Sequence, residues 1–459
     1  MKNKLSEKQF WLFGLNYIIG FGFVVTIAGI VSKGLWGILI FAITAFIGFS
    51  IMLVFARGTQ NYPTEVGGSY AYAKKAFPKQ KWFIFLQGWN QFAVLPLSSA
   101  SAPLFFSELF SAFDKEHQSI YQISSVIFFL ILILIGTLGI KLSKWVILLI
   151  AAFKWIIIGL GFILVIWFSF TQLKFGENIL KPTSEISIVT IIATIQSFVY
   201  AFAGAEGLAG LSSEVKTKRF KKILMSIFIV VLTFYFIFYL IFLGIDANVL
   251  KDTSTASSFG VIFNLAFGTT GLILFAIGIL FQQSASQLTT LIYYARTIAP
   301  LAEDGYLPKY LAKKAKNGEY KRALYFIAIF AIISMIIFTF IPSLFNVKDQ
   351  FNAVLYSYIV VFYMQYILTI ISILAIGYKN KEFKVPIWEQ VIYYLSMLLM
   401  GFLVLVAFIP SIIGKQWEFS NIVLMPSYLG ILLFGYLIWG SYIWINKVIK
   451  KKRSKNYIH

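Results

Sequence analysis

The chain has 459 residues, 59% of them hydrophobic and only 12% charged, with a net charge of +21. Soluble globular domains carry about 25% charged residues, which excludes a water-soluble fold. Cysteine is absent, which removes disulfides, thiol nucleophiles and thiolate metal sites.

About twelve apolar runs reach the roughly 20 residues a helix needs to cross a bilayer. They lie near 10–32, 34–56, 82–110, 120–140, 145–170, 188–213, 222–245, 270–299, 323–342, 350–376, 389–413 and 422–446. Connections are short and no linker divides the chain, so residues 1–459 read as one all-α membrane domain. The N-terminus superficially resembles a signal peptide, but its apolar run is too long and lacks a small-residue cleavage site. It therefore stays as the first span.

The first span carries Ile18-Ile19-Gly20-Phe21-Gly22-Phe23 near its middle, and the sixth carries Ala203-Gly204-Ala205-Glu206-Gly207. Glycine costs about 1 kcal/mol relative to alanine inside a helix, so paired glycines weaken the hydrogen-bond ladder. Either run alone is equally well read as close helix packing through small residues. Together they fall at corresponding places in two five-span halves, the pattern that marks a transporter binding site. A broken helix exposes N–H groups at a positive end, suited to a carboxylate, and carbonyls suited to an ammonium. A site offering both fits a zwitterion, which means an amino acid.

Two charges sit well inside apolar runs: Lys154 in the fifth span and Glu206 in the sixth. A charge at the bilayer centre costs roughly 2.5–3.5 kcal/mol on insertion scales, so both are expected to face a bundle interior or a wet cavity. Most of the 39 lysines and arginines fall on alternate loops and on the two tails. By the positive-inside rule both termini are cytoplasmic. The basic runs 216–222, 309–321 and 447–455 then read as topology signals in contact with anionic membrane lipids. They lack the aromatic interleaving of a stacking surface, which argues against nucleic acid.

Enzyme signatures are missing. No phosphate-binding loop, His-Glu-x-x-His motif or metal-spaced cluster occurs, and His117 and His459 lie in a loop and the tail. The chain reads as neither an enzyme nor a cofactor- or metal-binding protein, and ATP-driven transport is excluded for it alone. A channel would need a continuous polar stripe, and a sensor a soluble output domain; neither is evident.

Several ordered motifs resemble the amino acid–polyamine–organocation (APC) superfamily, and within it bacterial amino acid permeases. Ile18 to Phe23 is similar to that family's I-I-G-x-G-[IV]-F stretch. Pro63-Thr64-Glu65-Val66-Gly67-Gly68-Ser69-Tyr70 resembles P-x-x-G-G-x-Y. Phe202-Ala203-Gly204-Ala205-Glu206, with Glu214-Val215-Lys216, resembles F-x-G-x-E followed by E-V-K. Ala295-Arg296 with Leu301 to Pro308, and Phe383-Lys384-Val385-Pro386, are similar to segments after the eighth and before the eleventh spans.

The resemblance implies a LeuT-type fold with helices 1 and 6 broken. Its inverted repeats would be about 10–170 and 188–376, with peripheral helices at about 389–446. It implies that the substrate carboxylate takes N–H groups near Phe21 and Gly22. The ammonium would take carbonyls around Ile18, Tyr200 and Ala203, under Tyr200 as an aromatic gate, with Gly204 completing the substrate-binding backbone of the sixth helix. The middle residue of the G-x-G is usually small, and Phe21 departs from that, limiting the pocket or packing away from it.

By the same resemblance, Lys154 stands where sodium sits in sodium-coupled relatives, bridging carbonyls near Gly20 to hydroxyls at Ser286 and Thr290. Proton carriage and plain packing remain open for it. Glu206 is either a structural carboxylate tying loose helix ends or a proton-linked group. Arg296 reads as a loop anchor or gate residue, and Asn352 and Tyr358 as candidate cavity residues. Asn90, Gln91, Gln282 and Gln283 read as amides that mostly bond neighbouring helices. The implied function is a secondary amino acid transporter of the cell membrane working by alternating access. It would be sodium-independent and either proton-coupled or exchanging. A polyamine or cationic amino acid exchanger is the alternative.

Overall fold

The computed structural model describes residues 5–63, 65, 68–111, 115–138, 140–212, 215–217, 219–251, 258–315, 319–344, 350–417 and 419–456. Outside them lie the motif residues Thr64, Val66, Gly67 and Glu214, the tail residue His459, and the side chains of Phe21 and Asn352.

Every apolar run of the sequence coincides with helix. The first span is Glu7–Ile18 and Phe21–Val31, the second Leu35–Asn61, and the third Lys81–Ser98 continued by Ser101–Ser111. The fourth is Gln118–Thr137, the fifth Ile140–Gln172, the sixth Ile188–Val199 and Ala205–Gly210, and the seventh Phe220–Phe242. The eighth lies within Ser258–Glu303, followed by Lys321–Leu344, Gln350–Lys379, Ile387–Phe408 and Phe419–Asn456. Eleven helices among the described residues are long and apolar enough to cross a membrane, and twelve when the two halves of the first span are joined. At Gly268 the backbone leaves the helix (φ 61°, ψ −148°), so the membrane-crossing part of the eighth begins after it, as the run 270–299 predicts.

Local chemistry starts the two broken spans. Ser6 caps the first: its hydroxyl accepts from the Gln9 N–H at 3.2 Å while the Gln9 side chain accepts from the Ser6 N–H at 3.0 Å. Ser187 and Thr190 make the corresponding box at the start of the sixth. The first span then stops at Ile18; Ile19 and Gly20 are extended, and the axis resumes bent by 54°. The sixth passes through a tight turn at Tyr200–Phe202, an extended Ala203 and a left-handed Gly204 (φ +125°) before resuming at Ala205. Both helices are broken where the glycines stand.

Burial grades across the bundle. Spans 2, 3 and 10 carry long stretches of fully buried side chains, while Ile156, Ile163, Leu398, Leu433 and Trp444 on outer spans are exposed apolar residues that face lipid. Charges tie the helix ends. Buried Glu389, at the start of the eleventh span, accepts bonds from Arg57 at the end of the second and from Lys221 at 2.9 Å at the start of the seventh. Asp304, just beyond the eighth span, pairs with Lys74 at 2.7 Å and also accepts the Tyr70 hydroxyl proton. Burial and the Asp304 carboxylate push the Tyr70 hydroxyl above its ordinary range. The N-terminal strand-like segment pairs with the segment after the sixth span, Lys216 N–H to Leu5 carbonyl at 2.9 Å.

Candidate functional site

The two breaks lie against each other. A Cβ on Gly22 would sit 3.0 Å from the Tyr200 carbonyl oxygen and 3.2 Å from Ala201 Cα, so a side chain there would push the two breaks apart. A Cβ on Gly204 would sit 3.1 Å from the Tyr17 ring and 3.3 Å from Ile18, at a φ that L-residues rarely adopt. Tyr235 of the seventh span joins both breaks. Its hydroxyl lies 3.2 Å from the Ile18 carbonyl and 3.0 Å from the Ala201 carbonyl, sharing one proton between two freed acceptors. Phe23 stacks on its ring at 4.3 Å and 5°, which locks the ring in place.

Beside the breaks lies a cavity of about 210 Å³. From the first span it is lined by Asn16, Ile18, Gly20 and Gly22, and from the sixth by Tyr200, Ala203, Gly204 and Glu206. Lys154 enters from the fifth span, and Ser286 and Thr290 from the eighth. The structure thus brings these widely separated residues to one space. Phe21 opens the helix after the first break, but its ring lies outside the described residues.

Lys154 is buried, and its ammonium donates to the Asn16 carbonyl at 2.6 Å, the Ile19 carbonyl at 2.5 Å and the Asn16 side-chain oxygen at 3.3 Å. Trp155 donates to the same Asn16 oxygen at 2.9 Å. Two of these acceptors are carbonyls at the end of the first half-helix, whose usual N–H partners are lost at the break. Ser286 and Thr290 share the cavity, and among the described residues neither bonds to Lys154.

Glu206 is also buried. Its carboxylate accepts from the Gly204 N–H at 3.2 Å and from the Tyr366 hydroxyl at 3.0 Å, so it ties the restart of the sixth helix to the tenth span. Tyr200 meets Tyr358 edge to face at 5.3 Å on the cavity wall. The four amides divide. Asn90 bonds Tyr428 at 2.6 Å and the Val361 carbonyl at 3.2 Å, and Gln91 donates to Tyr293 at 2.5 Å, while Gln282 and Gln283 line the cavity. Arg296 is half-buried near the end of the eighth span, beyond the lining residues. His117 is exposed at the start of the fourth.

Sequence reasoning passed over Asn16, Tyr235 and Tyr366. Asn16 had a signal, a polar residue one turn before the glycine break in an apolar span. Tyr235 and Tyr366 had none, being single tyrosines in aromatic-rich helices.

A helical membrane bundle in which two broken spans meet at a polar cavity is the architecture of a transporter. The chain belongs to the amino acid permease family, whose sequence model matches residues 5–434, and so to the APC superfamily. It is 34% identical to an uncharacterized protein of Mycoplasma genitalium, over 99% of this chain and 97% of that one. A second uncharacterized protein of that organism is 32% identical over 96% of each chain. An uncharacterized protein of Mycoplasma pneumoniae is 28% identical over 98% of this chain and 96% of its own. The family makes the chain a multi-pass membrane transporter, rather than an enzyme, with an amino acid as the implied substrate.

Proposed function

We propose that the chain is a secondary transporter that carries an amino acid across the cell membrane by alternating access, without sodium and driven by protons or exchange. One observation carries this reading: both helix breaks converge on a single cavity whose one buried ammonium, Lys154, is held by the freed carbonyls of the first break. The helix after that break starts at Gly20 with no side-chain cap, so its first N–H groups, at Phe21 and Gly22, remain for the substrate carboxylate. The ammonium finds carbonyls around Ile18, Tyr200 and Ala203 beneath the Tyr200 ring. Lys154 supplies from a fixed side chain the positive charge that a bound cation would bring. Glu206 acts as the tie that its two hydrogen bonds describe.

In this reading residues 10–170 and 188–376 are inverted halves, the helices at 389–446 are peripheral, and both termini are cytoplasmic beside anionic lipid. A polyamine or cationic amino acid fits less well, because Lys154 shares the cavity and the Glu206 carboxylate already holds two donors. Uptake of labelled amino acids into proteoliposomes, with and without sodium and with and without a pH gradient, tests the proposal. Saturable uptake with trans-stimulation is the expected result. No uptake of any amino acid, or strict dependence on sodium, overturns it.

A further inference from the structure

The wall facing the breaks has a chemistry of its own. On the eighth span Gln282, Gln283, Ser286, Gln287 and Thr290 all line the cavity. At 3.6 residues per turn they fall within about 140° of one helix face. Five neutral polar side chains on one face of a membrane helix are costly against lipid and are stable where they meet a polar partner. Across from them on the third span, Ser98 and Ser101 line the same space.

The direction of their hydrogen bonds narrows what that partner is. Ser98 donates its hydroxyl proton to the Leu95 carbonyl at 3.3 Å, and Ser101 donates to the Ser98 carbonyl at 2.7 Å. A hydroxyl that has given its proton to backbone turns only lone pairs to the cavity. Gln282 is buried, and its side-chain oxygen has no hydrogen-bond partner among the described residues. A Cβ added at Gly20 would lie 2.7 Å from the Gln282 side-chain nitrogen, so the amide is seated beside the first break with its oxygen unspent. The Gln282 oxygen is thus a buried acceptor awaiting a donor, where buried acceptors are normally satisfied, and the half-buried Ser98 and Ser101 oxygens turn further lone pairs to the same space.

Resting on the amino acid transport proposed above, we infer that the substrate has a neutral side chain bearing hydrogen-bond donors, a carboxamide or a hydroxyl. An acidic side chain brings only acceptors to these oxygens, and the Lys154 ammonium that could draw it already donates to three oxygens of the first span. A hydrocarbon side chain leaves them unpaired, and a site built for hydrogen bonds rejects such an analogue strongly. A second cation meets Lys154 in the same cavity.

The test is competition for binding to the purified full-length protein, followed by uptake into proteoliposomes. Glutamine, asparagine, serine and threonine are set against leucine, phenylalanine, glutamate, arginine and putrescine. The amide and hydroxyl amino acids should compete at least roughly tenfold better than leucine, which has no donor for these acceptors. Gln282→Leu and, separately, Ser101→Ala should each shrink that ratio. The second variant removes one oxygen from a helix that otherwise keeps its packing. A preference for leucine, glutamate, arginine or putrescine overturns the inference and leaves amino acid or cation transport standing. An unchanged ratio in both variants overturns the assignment to this wall. Failure of every compound to bind or move sinks the transport proposal itself.

Discussion

The ammonium of Lys154 and the carbonyl of Ile19 lie 2.5 Å apart, joining the middle of the fifth span to the residue just before the glycine at the first break. A second carbonyl from the same helix end, that of Asn16, lies 2.6 Å from the same ammonium. One side chain therefore holds the end of the first half-helix in place.

Replacing Lys154 with alanine leaves those two carbonyls unpaired, at about 1–3 kcal/mol. That is comparable with the few kcal/mol separating alternating-access states, so substrate affinity and the balance of states should both change. Native uptake should proceed without sodium. If the lysine also releases a proton during the cycle, uptake should rise with an inward pH gradient and the variant should lose that rise. Retention of the full gradient effect in Lys154→Ala would assign proton coupling elsewhere.

Gly22 sets the approach of the two breaks. Its added Cβ meets the Tyr200 carbonyl and Ala201 Cα at 3.0 and 3.2 Å, both backbone atoms that cannot swing aside. Gly22→Ala should weaken substrate binding, and Gly22→Leu should abolish it while the protein still inserts and purifies. Native-like affinity in the leucine variant would show that substrate does not sit at the breaks.

Tyr235→Phe keeps the stack with Phe23 but removes the hydroxyl shared between Ile18 and Ala201. A neutral hydrogen bond contributes about 1 kcal/mol, and the two carbonyls are left with one donor fewer. Thermal stability in detergent should fall by a few degrees, and substrate should restore part of it. A variant as stable as the native protein, with unchanged affinity, would deny that this hydroxyl holds the breaks together.

Glu389 is fully buried between two cations from different spans. Removing one partner of a buried pair costs about 3–5 kcal/mol because a charge is stranded. Glu389→Ala should lower the melting temperature far more than Lys221→Ala, whose side chain is 28% exposed. Melting curves of the detergent-solubilised variants check this, and equal losses would contradict it.

Span number, glycine breaks and buried charges were legible in the residues because each is a property of a single stretch of about 20. Hydropathy over such a window decides whether a helix enters lipid. Glycines at 20, 22, 204 and 207 weaken the helix wherever it lies, and Lys154 and Glu206 are costly in lipid whatever surrounds them. The grouping of Gly20, Lys154, Ser286 and Thr290 came from motif resemblance, and the cavity brings those residues together without a bond from Lys154 to either hydroxyl. Partners were decided only by the packed bundle. Lys154 and Asn16 are 138 residues apart, Tyr366 and Glu206 160, and Tyr235 and Ile18 217. Such pairs depend on how each helix is rotated and crossed against its neighbours. That rotation is set by the fit of side chains from several spans at once, which no single stretch of sequence encodes.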